Sequence, residues 1–232
     1  ECRKTRKNAG FSVKMSGMKR FPEKFFWGAS TSAHQVEGGN HNDWSEWEKK
    51  NAERLAKEAG SFWADWQKEK FPEMFDPNNY ISSRAADHYN KYGEDFDLMK
   101  ELGMNAYRFS IEWSRIEPDE GRFDEKEIEH YRKVIAALRK RGMEPFVTLH
   151  HFTNPVWFRD KGGWTNKNAP AIFARYAKYV VENLQGVEYW ITINEPFVQN
   201  LNSHFRGTWL PGKKSLKLTH KAIRTLVRAH TD

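Results

Sequence analysis

Four short stretches of this 232-residue sequence end an apolar run with polar side chains of the kinds that enzymes use. The clearest is WITINEP at 190–196, in which Asn194 and Glu195 precede Pro196. A carboxyl group there can donate or accept a proton, and the neighbouring amide can bind a hydroxyl group. Because proline cannot continue sheet pairing, both side chains are expected to reach one site although a pleat alone would separate them.

The other three stretches end in similar residue types, and each has an ordinary structural explanation as well. A lone glutamine after a strand is usually a surface residue, and a strand arginine more often forms a structural ion pair. Adjacent strand residues point apart and no third ligand is suitably spaced, so we expect no metal site at the histidine doublet. The polar residues are Gln35 with Glu37, Arg108 with Glu112, and His150 with His151.

Apolar runs and helical patterns alternate along the chain, which predicts strand and helix pairs. Asp124 and Glu127 have the spacing of a capping box at the start of one helix. The polar stretch at 40–83 holds four of the ten tryptophans and is predicted to be a functional loop or lid. Strands are predicted at 25–31, 105–111, 145–150 and 189–194, and helical apolar stripes at 89–99, 128–138, 173–184 and 223–227.

This order indicates an α/β fold with a parallel sheet covered by helices. A doubly wound sheet would carry a glycine-rich phosphate loop after its first strand, but Gly28, Gly38 and Gly39 match neither common pattern. A (β/α)8 TIM barrel places its chemistry at the carboxyl ends of the strands, where the polar residues lie here. We therefore expect a TIM barrel, of which this chain covers about the first four βα units.

Composition limits the classes of partner. Residues 1–20 carry a charge of +6 out of the net +7, so we expect a basic, disordered tail and a nearly neutral remainder that does not bind nucleic acid. The single cysteine, Cys2, permits no internal disulfide and no cysteine-based zinc site, which favours a cytoplasmic setting. The sequence contains no apolar run of membrane-spanning length, so we expect no membrane association.

Four segments, in order and in spacing, resemble the motifs of family 1 glycoside hydrolases, the retaining β-glucosidases and their relatives. The resemblance covers essentially all of residues 21–232, and four motifs in register are far more specific than one. The segments are FPEKFFWGASTSAHQVEG at 21–38, GMNAYRFSIEWSRI at 103–116, TLHHFTNPVWF at 148–158 and WITINEP at 190–196.

The resemblance implies a role for each candidate residue. Glu195 matches the general acid/base of a retaining mechanism that hydrolyses terminal β-D-glycosidic bonds, and Asn194 matches the residue that binds the sugar 2-hydroxyl. Gln35 and His151 match positions that bind hydroxyl groups of the nonreducing sugar, and Arg108 matches one that keeps the nucleophile ionised. The substrate is therefore expected to be a small β-glycoside or oligosaccharide, and no cofactor is implied.

The sequence also departs from the family pattern. Phe152 stands where the family commonly has tryptophan, and this change reduces stacking area and removes an indole N–H. The nucleophile motif of the seventh strand is absent, and Glu37 and Glu112 lie on strands too early to replace it. We therefore expect residues 21–232 to be the amino-terminal half of a TIM-barrel glycosidase domain, nearly inactive alone.

Such a half is expected to pair with a complementary carboxyl-terminal half or with itself, because its end strands and apolar interior would otherwise be open. The alternative is a non-catalytic half-barrel that binds sugars or self-assembles.

Overall fold

The computed structural model of the chain describes residues 20–232, so the basic tail predicted at 1–20 lies outside it except for Arg20. Four parallel strands form one sheet in the order in which they occur along the chain, which confirms the predicted parallel arrangement. The first strand is shorter than predicted, and the other three agree to within one residue at each end. The strands are β1 (Gly28–Ser30), β2 (Ala106–Ser110), β3 (Glu144–His150) and β4 (Tyr189–Ile193).

Helices fill every connection between the strands. No helix within residues 20–232 is both long enough and apolar enough to cross a bilayer. Short 3₁₀ turns lie at Pro72–Phe75, Pro77–Tyr80 and Gly163–Thr165, and a π-helical turn lies at Leu201–Arg206. The α-helices are α1 (Ala33–Val36), α2 (Asp43–Phe62), α3 (Asp65–Lys70), α4 (His88–Glu101), α5 (Trp113–Ile116), α6 (Glu125–Lys140), α7 (Val156–Asp160), α8 (Ala169–Asn183), α9 (Pro196–Asn200) and α10 (Leu216–Thr231).

The prediction of a loop or lid at 40–83 is wrong, because this segment contains the 20-residue helix α2. Asn42 caps the helix by accepting a 2.8 Å hydrogen bond from the Ser45 N–H. The buried stripe of α2 consists of Ala52, Ala56 and Ala59, which are four and three residues apart. Charged and polar residues surround these small side chains, so the segment is polar overall although its buried residues recur with a helical period.

The predicted capping box at α6 is only half correct. Asp124 accepts a 2.8 Å hydrogen bond from the Lys126 N–H, and the helix begins at Glu125. The Glu127 carboxylate turns instead toward Tyr89, whose hydroxyl group donates to it at 3.1 Å. This contact joins α6 to α4, so the residue that was expected to close the cap connects two helices.

The main core lies between the sheet and the helices. Tyr107 and Phe109 of β2 alternate with Arg108, and Val147 and Leu149 of β3 enter the same buried cluster. This period of two assigns one sheet face to the core and leaves Arg108 on the other. Core side chains on the helices, spaced as the sequence predicts, are Ile128, Tyr131, Ile135 and Leu138 on α6 and Phe173, Tyr176 and Val180 on α8.

The second face of the sheet carries an aromatic cluster that remains open to solvent. The ring of Phe146 stacks on that of Tyr189 with centroids 4.4 Å apart, and Phe26 packs edge-on against Phe146 at 5.3 Å. Phe26 is 42% exposed and Tyr189 is 39% exposed, although both contact other aromatic rings. Large apolar groups in water are unfavourable, so this face is suited to being covered.

Candidate active site

Four of the five candidate site residues follow the carboxyl ends of strands, and the fifth lies within a strand. Arg108 is in the middle of β2, His151 directly follows β3, and Asn194 and Glu195 directly follow β4. Gln35 lies in α1, which begins three residues after the end of β1. Because the sheet is parallel, these strand ends meet at a single edge.

A chain of hydrogen bonds joins three of the five side chains. Arg108 Nη2 donates to Asn194 Oδ1 at 2.5 Å, and Asn194 Nδ2 lies 3.2 Å from His151 Nε2. Since a guanidinium group can only donate, it fixes the amide with Oδ1 toward Arg108 and Nδ2 toward His151. His151 Nε2 therefore accepts, and the ring proton lies on Nδ1.

The resulting His151 ring is neutral and has a donor to spare. Burial, together with the nearby charge of Arg108, lowers the pKa of His151 to about 4. Its Nδ1 atom is buried and has no hydrogen-bond partner within the part of the chain that the structure describes. A neutral imidazole keeps one N–H and one acceptor nitrogen, and here the acceptor faces Asn194.

Thr148 is a supporting residue that the sequence reasoning missed. Arg108 Nε donates to Thr148 Oγ1 at 3.0 Å, which holds the guanidinium group between β3 and Asn194. Thr148 is fully buried and pairs in register with Ser110 of β2. The sequence could have indicated Thr148 through its position two residues before His150, because alternate residues of a strand share a face.

Glu195 lies where the chain leaves β4 and enters α9. Its backbone has φ of 42° and ψ of 56°, a left-handed conformation that is uncommon for a residue with a side chain. The Glu195 carbonyl accepts a 3.0 Å hydrogen bond from the Gln199 N–H, and Pro196 occupies the first helical position. The Glu195 side chain is exposed, and within residues 20–232 its carboxyl group takes part in no hydrogen bond.

Gln35 stands apart from the hydrogen-bonded chain. Its side chain is exposed, and Oε1 accepts a 2.8 Å hydrogen bond from Ser32 Oγ. Among residues 20–232, no hydrogen bond connects Gln35 to Arg108, His151 or Asn194. The convergence of all five predicted side chains on one pocket stays a prediction.

Two other carboxyl groups near the strand ends serve internal structure. Glu37 is 5% exposed, accepts a 2.8 Å hydrogen bond from the Tyr131 hydroxyl group and pairs with Arg115 Nε at 3.1 Å. Burial raises the pKa of Glu37 to about 7, although Arg115 acts in the opposite direction. Glu112 is fully buried and accepts a 2.7 Å hydrogen bond from Ser114 Oγ. Neither carboxyl group is presented to solvent.

The two histidines of the doublet have separate surroundings. His150 is 1% exposed, packs edge-on against Trp164 with centroids 5.0 Å apart, and lies 3.1 Å from Asn154 Oδ1 through its Nε2. Asn154 in turn donates its backbone N–H and Nδ2 to the Asp43 carboxylate at 2.8 and 2.7 Å. Across residues 20–232, no three His, Cys, Asp or Glu side chains are grouped as metal ligands would be.

Burial of His150 predicts a loss of stability in acid. Desolvation lowers the pKa of His150 to about 4, whereas a histidine in an unfolded chain titrates at about 6.5. The unfolded state therefore binds the proton first, and the free energy of unfolding is expected to fall by up to about 3 kcal/mol as the pH drops through that window. Denaturant titrations of the wild type and His150→Gln from pH 7 to pH 4 measure this difference.

Asp43 supplies a control of opposite sign. Burial raises the pKa of Asp43 to about 7, so the folded state binds this proton first, and acidification from pH 7 to pH 4 increases stability through this group. Between pH 7 and pH 4, the free energy of unfolding is therefore expected to fall more steeply in Asp43→Asn than in the wild type. In His150→Gln it is expected to fall less steeply. A difference between wild type and His150→Gln that is independent of pH would contradict the neutral, buried ring.

Aromatic side chains form a wall beside these polar groups. The Phe152 ring lies 4.9 Å from the His151 ring and 5.2 Å from the Trp209 ring, and Trp44 packs against Trp209 at 5.4 Å. An aromatic face beside donors and acceptors suits a molecule that has both C–H surfaces and hydroxyl groups. With an exposed carboxyl group at Glu195, the arrangement can bind such a molecule and exchange a proton with it.

Comparison with known proteins gives a consistent result. The sequence model of glycosyl hydrolase family 1 matches residues 17–232. The chain is 34% identical over 215 residues to β-glucosidase A of Thermotoga maritima, covering 92% of this chain and 45% of that protein. It thus spans less than half the length of this curated relative.

Solved structures agree with the sequence relatives. The β-glycosidase from Pyrococcus horikoshii superposes with a TM-score of 0.76 at 38% identity, covering 90% of this chain and 44% of that one. The Thermotoga maritima β-glucosidase in complex with glucoimidazole gives a TM-score of 0.75 at 33% identity, covering 92% and 45%. The four βα units correspond to about half of the TIM barrel of these structures, which confirms the predicted fold class.

Proposed function

Because the chain belongs to glycosyl hydrolase family 1, we propose that the protein carrying it hydrolyses terminal β-D-glycosidic bonds of the β-glucosidase or β-galactosidase type with retention of configuration. The observation that carries this proposal is the position of Glu195. An exposed carboxyl group directly follows Asn194, whose amide is held by Arg108 and faces His151. A proton donor beside fixed hydroxyl-binding groups is the arrangement that glycoside cleavage requires.

Glu195 acts as the general acid/base in this proposal. It protonates the leaving-group oxygen while a second carboxylate attacks the anomeric carbon, and it later deprotonates the water that releases the sugar. Asn194 contacts the 2-hydroxyl, where hydrogen bonds strengthen in the transition state. Arg108 holds the Asn194 amide and keeps the nucleophilic carboxylate ionised through its positive charge.

Gln35 and His151 bind further hydroxyl groups of the sugar. The contact of His151 with Asn194 supports its role, because it places the ring beside the amide proposed to bind the 2-hydroxyl. The nearby Phe152 ring provides an apolar surface for the C–H face of a pyranose. The glucoimidazole complex of the Thermotoga maritima relative supports a sugar as the ligand.

The second carboxylate is proposed to come from a complementary carboxyl-terminal segment that completes the barrel. Glu37 and Glu112 are buried in internal hydrogen bonds, so neither is available as the nucleophile. The exposed rings of Phe26 and Tyr189 support this assignment, because a segment that completes the barrel would cover them. The same open face favours the alternative, a half-barrel that assembles with itself and binds sugars without cleaving them.

The stereochemistry of the first product tests the proposed reaction. We call this chain together with the complementary carboxyl-terminal segment the complete protein. We expect the complete protein to hydrolyse an aryl β-D-glucoside and to release the β anomer first, because two successive inversions restore the configuration. Proton NMR during the first turnovers, before mutarotation, distinguishes the anomers. Initial release of the α anomer would contradict the retaining mechanism, and absence of turnover by the complete protein would favour the non-catalytic alternative.

A further inference from the structure

The turn at 151–154, which carries His151, has a backbone conformation that its surroundings must hold in place. It connects the end of β3 to Pro155, the residue before α7. Phe152 within the turn has a φ of 72°, in the left-handed region that a bulky side chain rarely adopts. Such a conformation persists only where the surrounding structure over-determines it, and residues of this kind are concentrated at functional sites.

Three buried residues from separate parts of the fold hold this turn. Gln199 of α9 donates from Nε2 to the Phe152 carbonyl at 3.0 Å. Glu112, in the segment after β2, accepts a 3.1 Å hydrogen bond from Thr153 Oγ1. The third residue is Asp43, the first residue of α2. All three are at most 6% exposed, so water does not compete freely for these contacts.

Asp43 is joined to the last residue of the turn through both its backbone and its side chain. Its N–H donates to the Asn154 carbonyl at 3.0 Å, and its carboxylate accepts from the Asn154 N–H at 2.8 Å and from Asn154 Nδ2 at 2.7 Å. Hydrogen bonds to an ionised acceptor are about twice as strong as neutral ones. The start of α2 is therefore fixed to the turn, although α2 supplies none of the five candidate site residues.

The carboxylate also sets the direction of the hydrogen bonds that lead from Asp43 to β3. A carboxylate can only accept, so the Asn154 amide points Nδ2 toward Asp43 and Oδ1 toward His150. His150 Nε2 lies 3.1 Å from that oxygen and must therefore carry the ring proton. Asp43 thereby determines the tautomer of the residue that directly precedes His151.

We propose that Asp43 is a positioning residue for the candidate active site, which acts by holding, through Asn154, the turn that places His151. His151 Nε2 lies 3.2 Å from Asn194 Nδ2, and Glu195 directly follows Asn194. A shift of the turn therefore moves a sugar-binding group relative to the proton donor. The effect on turnover rests on the proposed function, whereas the effect on the position of His151 does not.

Exchanging the two partner side chains tests the proposal. Asp43→Asn brings an amide donor against Asn154 Nδ2, and Asn154→Asp brings two carboxyl groups against each other, so each single variant breaks the connection. The double variant Asp43→Asn/Asn154→Asp restores it with the amide and the carboxylate exchanged. The amide then donates to the carboxylate, which accepts from His150 Nε2 as the Asn154 oxygen does in the wild type.

We expect kcat/KM of the complete protein on phenyl β-D-glucoside to fall by about 10–100-fold in each single variant, because misplacing an orienting group by about 1 Å has an effect of this size. The assay is run at pH 8, above the pKa of Asp43 of about 7, so that the wild-type carboxylate is ionised. The double variant is expected to recover most of the loss. A double variant as impaired as the single variants would overturn the proposal.

Ser45→Ala is the matched control for damage to the start of α2. Ser45 Oγ accepts a 3.0 Å hydrogen bond from the Asn42 N–H and so completes the helix cap, but within residues 20–232 Ser45 forms no hydrogen bond to the turn. We expect Ser45→Ala to lower the thermal midpoint and to leave kcat/KM unchanged. If Asp43→Asn likewise lowers only the thermal midpoint, its role is structural and the proposal is wrong.

Crystal structures of the complete protein and its variants provide a readout that needs no turnover. In the single variants we expect Phe152 to leave the left-handed region and His151 Nε2 to move out of hydrogen-bonding distance of Asn194, and both features to return in the double variant. An unchanged turn in the single variants would overturn the proposal. The double variant decides even where a single variant does not fold, because it must restore the contact between His151 and Asn194. Absence of hydrolysis by the wild type would count against the proposed function alone.

Discussion

Replacing Glu195 with glutamine is expected to lower kcat/KM of the complete protein on phenyl β-D-glucoside by about 10²–10⁴-fold, the usual contribution of general acid–base catalysis. Glutamine keeps the size of the side chain and its hydrogen-bonding ability but cannot transfer a proton. Glu195 is exposed at the turn into α9, so we expect Glu195→Gln to fold normally and the loss of activity to reflect catalysis. Initial rates of phenol release measure the effect.

Leaving-group dependence separates loss of the acid from general damage to the site. Dinitrophenolate departs without a proton. The rate of the first, bond-breaking step in Glu195→Gln is therefore expected to fall much less with dinitrophenyl β-D-glucoside than with the phenyl glucoside. Glu188→Gln is the matched control, because Glu188 is an exposed glutamate just before the opposite end of β4. Equal losses with both substrates would contradict the assignment of Glu195 as the acid.

The strands and main helices could be predicted because their signals are strong in the sequence. The two central strands are bounded by glycine-terminated helices, and both Gly103 and Gly142 have the positive φ expected after a helix end, 77° and 72°. Helix α2 was missed because its segment is polar overall and its buried residues are small, although Ala52, Ala56 and Ala59 have helical spacing. Tertiary packing, which the sequence pattern does not show, selects the buried face.

Residue types could be predicted at the site, but their connections could not. The motifs indicate Arg108, His151 and Asn194, whereas the order in which they bond depends on rotamers and on the amide orientation that Arg108 imposes. Thr148 escaped notice because a threonine within a strand is ordinary, and only its contact with Arg108 gives it a supporting role. Local patterns identify candidates, and packing decides which of them act together.

Mixing the chain with the carboxyl-terminal half of a family 1 glycosidase is expected to raise nitrophenol release from an aryl β-glucoside from background to measurable turnover. Retention requires two carboxyl groups about 5–5.5 Å apart, and these groups act as a unit, so one alone supplies almost no catalysis. The chain alone is therefore expected to be no faster than its Glu195→Gln variant.

The same mixture tests the open face of the sheet. β1 and β4 each pair along one edge only within residues 20–232, and the exposed rings of Phe26 and Tyr189 lie on the uncovered side. We expect sedimentation to show self-association of the chain alone and a one-to-one complex after mixing, while a mixture containing Glu195→Gln forms the complex without turnover. Robust hydrolysis by the chain alone that disappears in Glu195→Gln would contradict this expectation, because it would require a nucleophile within these 232 residues.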